Sequence, residues 1–310
     1  MCIAYYAPQE NTKRSLKNKM TILDGKKIAA EIRAELKAQI SDLLAAHHRA
    51  PKLGIVIVGH NPASETYVNN KMKACLEVGI EAVRIAFEDT ITEKELLAEV
   101  DKLNRDESID GFIVQLPLPK HIDEQTITSA IDYRKDVDGL TPENVGRAAK
   151  SLPCIVSATP RGIRELLSRY AIPTDGKHIV VIGRSNIVGK PMASLLMQKH
   201  ERGNATVTLC HSHTTHLKEI CLTADIIIVA VGHPGLLTAD MVSPGTTVID
   251  VGITRVEDPN APKGYRIQGD VDFDNVAPKC NYITPVPGGV GPMTIVSLLQ
   301  NALQAYNSKL

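Results

Sequence analysis

The sequence predicts an α/β protein made of two doubly wound parallel-sheet domains with a cleft between them. In the first half of the chain, short apolar runs typical of buried strands alternate with longer stretches of helical periodicity. The same alternation begins again after Pro160. Strands that are separated by helices pair in parallel through right-handed crossovers. A chain of 310 residues with 43% hydrophobic content is long enough for two such cores.

The first unit is predicted to contain three strands and three helices. Ser64 is a good N-cap for the second helix, and Thr92 and Glu95 have the spacing of a capping box that opens the third. Pro117 and Pro119 end the last strand. In chain order, the predicted elements are a helix over 26–48, a strand over 52–59, a helix over 64–78, a strand over 81–87, a helix over 92–104 and a strand over 111–118.

The second unit is predicted to be a Rossmann-type domain, because its first strand runs into a glycine-bounded loop that opens a helix. A ten-residue segment over 285–294 then holds three prolines and three glycines, a content that excludes a helix or a central strand. The remaining predicted elements are helices over 161–170, 190–199 and 293–309 and strands over 177–183, 205–210, 225–232 and 246–252.

Composition and charge exclude several classes of function. The formal net charge is zero and tryptophan is absent, which disfavours general nucleic-acid binding. No apolar run reaches the length of a membrane span. The six cysteines form no Cys-x-x-Cys pair, and the histidines over 211–216 lack a second ligand cluster, so we expect reduced thiols, a cytoplasmic protein and no metal site.

Residues 1–19 precede the first periodic segment. They are polar, contain several lysines and an arginine, and lack the apolar core of a secretory signal. We expect them to form a disordered extension.

The loop from Gly183 to Pro191 is a candidate dinucleotide site, although it is not a Gly-x-Gly-x-x-Gly pattern and a purely structural turn is an alternative. Gly183 permits a tight turn, and Gly189 permits close backbone approach at a helix N-terminus, where phosphate binds well. The second strand of the unit ends without a carboxylate. A 2′-phosphate would meet no like charge there, and Arg184 and Ser212 can hydrogen-bond it, which favours NADP over NAD.

Tyr67 and Lys71 are neighbours at i and i+4 on one helix face. Tyrosine supplies a flat ring for stacking, and lysine supplies a cation or, when desolvated, a base. For this pair alone, an exposed lysine beside a half-buried tyrosine is the simpler interpretation. A short-chain dehydrogenase also has a Tyr-x-x-x-Lys pair, but there the pair follows the glycine loop, whereas here it precedes that loop by more than a hundred residues.

Polar side chains follow the last strand of the first unit. Gln115 stands at the carboxyl end of that strand, where ligands bind in parallel sheets. Asp136 and Asp138 are separated by one residue, so in an extended segment only one of them can point into the cleft. Taken singly, each of these residues is better explained as a satisfied turn residue.

Six motifs occur in one order that resembles the bifunctional methylenetetrahydrofolate dehydrogenase/cyclohydrolase family. Together they extend over essentially all of residues 20–310. They are Ser64-x-x-Tyr67-Val68-x-x-Lys71-x-Lys73, Gln115 to Pro119, Lys135 to Gly139, the Gly183 loop, Asp250-Val251-Gly252 and the loop from Pro285 to Thr294.

The resemblance implies NADP-dependent oxidation of 5,10-methylenetetrahydrofolate and hydrolysis of the 5,10-methenyl product to 10-formyltetrahydrofolate. It implies that Lys71 is the catalytic lysine with Gln115 beside it, that Tyr67 stacks on the folate and that Asp138 bonds the pterin edge. Further folate-binding residues implied are Ser64, Val114, Leu116, Pro287, Gly288 and Gly289. Cofactor-binding residues implied are Gly183, Arg184, Ser185, Ile187, Val188, Gly189, Ser212, Gly232 and Ile253.

The resemblance also implies a domain division and a homodimer. The folate domain would comprise 20–156 plus 285–310, and the NADP domain 157–284. The chain departs from the family pattern in two places: Ser157-Ala158 replaces a Pro-Cys pair at the domain junction, and Tyr133 replaces a proline. The alternatives are a monofunctional dehydrogenase, a non-catalytic folate-binding protein and another two-domain NADP enzyme such as shikimate dehydrogenase.

Overall fold

The structure, a computed structural model, describes residues 20–261 and 264–310, so the extension predicted over 1–19 lies outside the described residues. The strands are β1 (Thr21–Ile22), β2 (Lys52–Val58), β3 (Glu81–Phe87), β4 (Gly111–Val114), β5 (His178–Ile182), β6 (Thr206–Cys210), β7 (Ile226–Val229), β8 (Thr247–Asp250), β9 (Thr254–Glu257), β10 (Tyr265–Gln268) and β11 (Tyr282–Ile283). The α-helices are α1 (Gly25–Ala45), α2 (Pro62–Val78), α3 (Glu93–Arg105), α4 (Glu124–Ser129), α5 (Pro142–Ala149), α6 (Ala158–Arg169), α7 (Gly189–Met197), α8 (Leu217–Leu222), α9 (Phe273–Val276) and α10 (Val290–Asn307).

Two parallel sheets confirm the predicted α/β class. In the first unit the strand order is β3-β2-β4, and in the second it is β1-β11-β8-β7-β5-β6. The hairpin β9–β10 is antiparallel and stands apart from both sheets. Although β1 is the first of the described strands, Thr21 pairs with Tyr282 in the larger sheet.

The C-terminal helix connects the two units. It packs on α6, α1 and α2 and also contacts β2 and β4. Its far end is held by Asp110, which is buried and accepts hydrogen bonds from both terminal nitrogens of Arg49 at 2.7 Å and from Lys309 Nζ at 2.9 Å. This cluster fixes the end of the chain to the first unit.

Two local predictions were wrong. Ser64 does not cap α2, because the chain enters that helix through Asn61, whose Oδ1 accepts from Ala63 N and Ser64 N, with Pro62 in the first turn. The segment over 285–294 is only partly a loop, since α10 already begins at Val290. Pro292 falls within the first turn of α10, where the missing N–H of a proline costs no helical hydrogen bond.

Most other predicted elements lie within a few residues of those observed. The strand predicted over 111–118 ends at Val114, and the helix predicted from Arg161 begins at Ala158. The capping box of Thr92 and Glu95 is present, with both reciprocal hydrogen bonds. Within the described residues, no helix combines the length and the apolar character that crossing a membrane requires.

Candidate active site

A cavity of 330 Å³ opens between the two units. Its walls come from one face of α2, from the segments that follow β4 and β8, from the loop before α7, and from the first turns of α6 and α10. The lining residues are Tyr67, Lys71, Gln115, Leu116, Asp138, Leu140, Ser157, Ala158, Thr159, Ile187, Val188, Val251, Ile253, Val290, Gly291, Thr294 and Ile295.

Lys71 and Gln115 meet in this cavity. Lys71 Nζ donates to Gln115 Oε1 at 3.0 Å, and Gln115 Nε2 donates to the Leu116 carbonyl at 2.6 Å. The second bond fixes the amide so that its oxygen faces the lysine. Tyr67, one turn earlier on α2, is 41% exposed and leaves its ring available at the cavity.

The charged residues of the segment over 135–138 have two different roles: the first two stabilise the fold, and the third lines the cavity. Lys135 is buried and donates to the carbonyls of Leu103 and Asp106 at the end of α3. Asp136 is buried and accepts from Gly139 N, Thr141 N and Asn144 Nδ2. Asp138 lines the cavity, and its carboxylate has no hydrogen-bond partner among residues 20–261 and 264–310.

The environment of Asp138 raises the pKa of its carboxyl. Burial raises the pKa of this carboxyl, the Lys71 ammonium opposes the shift, and the Asp136 carboxylate adds to it. A carboxyl with a raised pKa beside a lysine is a common feature of functional clefts.

The glycine loop between β5 and α7 is built for close backbone approach. Gly183 has a φ of 120°, and a Cβ there would collide with the main-chain oxygen of Ala230. A Cβ on Gly189 would collide with the Gly183 carbonyl. Ser185 Oγ accepts from Val188 N at 3.2 Å and holds the loop closed.

Arg184 and Ser212 lie at the same edge of the larger sheet. Ile182 and Cys210 are paired in register at the ends of β5 and β6, and each of the two predicted residues follows two positions later. Both are exposed and have no side-chain hydrogen bond within the described part of the chain. Gly232 follows β7 with a φ of 67°, and Ile253 follows β8 and lines the cavity.

Five residues predicted to bind folate lie outside this lining. Ser64 in α2 and Val114 in β4 are buried, at 5% and 3% exposure. Pro287, Gly288 and Gly289 form the loop before α10 and pack on the start of α1, where Lys26 N donates to the Gly288 carbonyl at 3.1 Å. This loop does not line the cavity itself, but it leads into α10, whose first residues do.

Both departures from the family pattern have structural roles. Ser157 Oγ donates to the Ile187 carbonyl at 3.0 Å and so joins the domain junction to the glycine loop. The Tyr133 ring lies under the guanidinium groups of Arg134 and Arg147, and the Tyr133 carbonyl accepts from Asn144 Nδ2.

Sequence reasoning missed the first turns of two helices as parts of the site. Thr159 and Thr294 line the cavity, with their hydroxyl oxygens 3.0 Å apart. The signal for Thr294 was available, because it ends the proline- and glycine-rich segment. In the part of the chain that the structure describes, no three His, Cys, Asp or Glu side chains are grouped to hold a metal ion.

A larger open groove of 890 Å³ adjoins the cavity and shares Leu116, Leu140 and Ile187 with it. It contains neither Lys71 nor Asp138. We therefore locate the chemistry in the smaller cavity.

The fold and the cavity define a two-domain α/β enzyme with a dinucleotide loop facing a lysine, an amide and a carboxyl. The family model for the tetrahydrofolate dehydrogenase/cyclohydrolase catalytic domain matches residues 23–138, and the model for its NAD(P)-binding domain matches 157–310. This chain belongs to the tetrahydrofolate dehydrogenase/cyclohydrolase family, which confirms the resemblance found in the motifs.

Individual relatives agree with this family. The bifunctional protein FolD of Porphyromonas gingivalis is 62% identical over 284 residues, covering 92% of this chain and 96% of the relative. FolD of Bacteroides thetaiotaomicron is 57% identical over 286 residues, covering 92% and 98%.

Solved structures show the same fold. The FolD dehydrogenase/cyclohydrolase of Campylobacter jejuni has a TM-score of 0.88 at 46% identity, covering 94% of this chain and 100% of that one. The Trypanosoma brucei enzyme, determined in complex with an NADP cofactor and an inhibitor, has a TM-score of 0.88 at 38% identity, covering 94% and 98%.

Proposed function

We propose that this chain oxidises 5,10-methylenetetrahydrofolate with NADP⁺ and then hydrolyses the 5,10-methenyl product to 10-formyltetrahydrofolate. The observation that carries this proposal is the Lys71–Gln115 pair, at 3.0 Å, in a cavity that Ile187 and Ile253 of the cofactor unit also line. One cavity can thus hold the reacting carbon for both steps.

The residues of the second unit fit NADP. Gly183 and Gly189 leave room for a pyrophosphate against the main chain at the start of α7. Arg184 and Ser212 follow the paired ends of β5 and β6, where they could both bond a 2′-phosphate, and the end of β6 carries no carboxylate to repel it. The bound nicotinamide supplies the hydride acceptor.

The residues of the first unit fit a reduced folate. The exposed ring of Tyr67 can stack on the flat part of the substrate. The unpartnered carboxyl of Asp138 can bond the polar edge of the pterin and fix its orientation. Both residues therefore serve the two reactions equally.

The two steps need different help from the protein. Loss of hydride from the methylene carbon leaves a cation that the adjacent nitrogens stabilise, so this step depends mainly on alignment. In hydrolysis, water adds to the methenyl carbon and loses a proton, N5 gains a proton as the bond from that carbon to N5 breaks, and the hydroxyl group loses its remaining proton as it becomes the formyl carbonyl. Lys71, oriented by Gln115, is the group that we expect to exchange these protons.

The intact Lys71–Gln115 pair argues against a monofunctional dehydrogenase and against a non-catalytic folate-binding protein. A protein without the hydrolytic step would have no need for a lysine whose only side-chain partner in the described chain is this oriented amide.

We also propose a homodimer, a cytoplasmic location and the predicted domain division, except that β1 belongs to the second unit because it pairs with β11 in the larger sheet. The packing of α10 on α1 and α2 supports assigning 285–310 to the folate domain. Leu76, 81% exposed on α2, supports contact with a second copy. Light scattering of the purified protein would measure the mass of the assembly, and a mass of one chain would contradict the dimer.

The proposed function is tested with two assays on one preparation. NADPH formation is followed with methylenetetrahydrofolate and NADP⁺, and hydrolysis is followed with methenyltetrahydrofolate alone. We expect both activities. NADPH formation without hydrolysis would support the monofunctional alternative, and the absence of both would contradict the proposal.

A further inference from the structure

The motif Asp250-Val251-Gly252 stands at the cofactor edge of the larger sheet, yet its carboxylate points away from the cavity. Asp250 is the last residue of β8 and is 3% exposed, and it does not line the cavity. Its Oδ1 accepts from Gly252 N and Asp270 N, both at 2.9 Å, and its Oδ2 accepts from Val271 N at 3.0 Å. Both oxygens are thus occupied by main-chain donors.

Asp270 continues this network toward the neighbouring strand. It is completely buried, and its Oδ2 accepts from Val231 N at 2.7 Å and Gly232 N at 3.0 Å. Its Oδ1 has no hydrogen-bond partner among the described residues. One oxygen of Asp270 therefore holds the turn that follows β7, and the other accepts no hydrogen bond from the described residues.

The two carboxylates together connect the segments that follow β7 and β8. Val229 and Asp250 are paired in register at the ends of these strands. The turn over 231–232 and the residue pair 252–253 then project toward the proposed cofactor site, where Ile253 reaches the cavity. Five main-chain N–H groups find their acceptors in these two side chains, so the positions of the turns depend on those of the carboxylates.

Glycines show how closely this network is packed. A Cβ on Gly252 would collide with the Asp270 carboxylate, and a Cβ on Gly269 would collide with the Asp250 carboxylate. Main chain lies directly against both acids, so a shift of either carboxylate moves a turn.

We propose that Asp250 and Asp270 are positioning residues for the dehydrogenase step: they hold the turns after β7 and β8 in the conformation that receives NADP. This inference rests on the proposed NADP site. Neither residue touches the cofactor, and the hydrolytic step, which needs no nicotinamide, does not depend on them.

Hydrogen-bond capacity predicts an order of effects. Asp270→Ala removes the acceptor of two N–H groups and should weaken NADP binding most, by about tenfold or more. Asp250→Asn places an NH₂ group against an N–H donor, because both oxygens of Asp250 accept, and should weaken binding less. Asp270→Asn keeps one accepting oxygen where the two bonds are made and should bind NADP nearly as the unmodified chain does.

The experiment measures the dissociation constant of NADP by titration calorimetry and, on the same preparation, the rate of hydrolysis of methenyltetrahydrofolate. The control is Asp225→Ala, which removes a carboxylate that accepts from His178 N at 2.9 Å at the opposite edge of the same sheet. We expect the control to bind NADP normally and all variants to keep at least half of the hydrolytic rate.

The outcomes separate this inference from the proposed function. If the unmodified chain neither binds NADP nor forms NADPH, the proposed function fails. If that chain binds NADP and Asp270→Ala binds it within twofold, the positioning role fails alone. Should Asp270→Ala not fold, the two asparagine variants decide: equal NADP affinity in Asp250→Asn and Asp270→Asn contradicts the proposal, and weakening in Asp250→Asn alone supports it.

Discussion

On the folate side of the cleft, side chains from α2, β4 and the 135–140 segment converge on one cavity: Lys71, Gln115 and Asp138 all present their functional groups there. On the cofactor side the main chain faces the ligand site, with Gly183 and Gly189 in front and buried acids behind. The folate side of the cleft, the folate wall, works through the chemistry of its side chains. The cofactor side, the cofactor wall, works through the shape of its backbone. Substitutions in the folate wall should therefore remove a particular chemical function, whereas substitutions in the cofactor wall should act by displacing the backbone.

The largest effect on the cofactor wall should come from Gly183→Ala. The φ of 120° strains any side chain, and the Cβ would collide with Ala230. We expect NADP affinity to fall by about a hundredfold or more, in line with the cost of displacing a binding loop by about 1 Å.

The matched control is Gly146→Ala. Gly146 lies in α5, and apart from its chain neighbours and its own helix backbone no atom lies within 4 Å of the position that the new methyl group would occupy, so this variant should bind NADP normally. Normal NADP affinity in Gly183→Ala would contradict the idea that backbone shape makes this wall.

Asp138→Ala tests the folate wall. Both reactions need the same substrate orientation, so both activities should fall together, by about a hundredfold, while the melting temperature stays near that of the unmodified chain. The contrasting variant is Asp136→Ala, which leaves three buried donors without their acceptor and should mainly lower the melting temperature. Loss of only one activity in Asp138→Ala would move the orienting role elsewhere.

Arg184→Ala tests the one cationic side chain that we assign to the cofactor wall. Losing charge-assisted hydrogen bonds to a 2′-phosphate should weaken NADP binding by roughly 1.5–3 kcal/mol and NAD binding much less. Lys190→Ala is the control, since Lys190 lies in the first turn of α7, next to the same loop, and donates to Asn186. Equal weakening of NADP and NAD in Arg184→Ala would reject the assignment.

The smallest expected effect compares two buried carboxyls. Burial raises the pKa of Asp250 to about 6, although hydrogen bonds from the main-chain N–H groups of Asp270, Val271 and Gly252 oppose the shift. The folded state then holds a proton that the unfolded state has lost, so the stability from Asp250 is present at low pH and declines as pH rises through 6. Between pH 5 and 7 this decline should be roughly 1 kcal/mol.

Asp110, in the first unit, should behave in the opposite way. Burial alone would raise the pKa of Asp110, but hydrogen bonds from Arg49 and Lys309 outweigh it and lower the pKa below the usual value. Its stability contribution is therefore present above the ordinary pKa of an aspartate and is lost as pH falls. Denaturant unfolding at pH 5 and 7 measures the contribution of Asp250, and unfolding at pH 5 and 3 measures that of Asp110, with Asp250→Asn and Asp110→Asn as references. If the difference in stability between the unmodified chain and Asp250→Asn does not change between pH 5 and 7, the predicted decline of the Asp250 contribution is contradicted.

The comparison of the two walls also explains what could be predicted from sequence. Strands such as β2 and β7 were predicted because a continuous apolar run reports burial on both faces, and Lys71, Gln115 and Asp138 stand in motifs that carry their own chemistry. The residues behind the cofactor wall could not be predicted, because Asp270 acts on Val231 and Gly232 across nearly forty positions. The pairing of β1 with β11 escaped notice for the same reason. Backbone-built sites depend on such distant contacts, and local patterns do not contain them.

The central claim is that Lys71 serves the hydrolytic step as proton carrier while the hydride step needs mainly alignment. Lys71→Met keeps the length of the side chain and removes its charge and protons, and Lys73→Met, at an exposed position on the same helix, is the matched control. Both reactions should be assayed on one preparation, with hydrolysis started from methenyltetrahydrofolate. We predict that Lys71→Met loses hydrolysis by about 10²–10⁴-fold and keeps measurable NADPH formation, while Lys73→Met keeps both activities. Hydrolysis by Lys71→Met at near the rate of the unmodified chain would contradict the account.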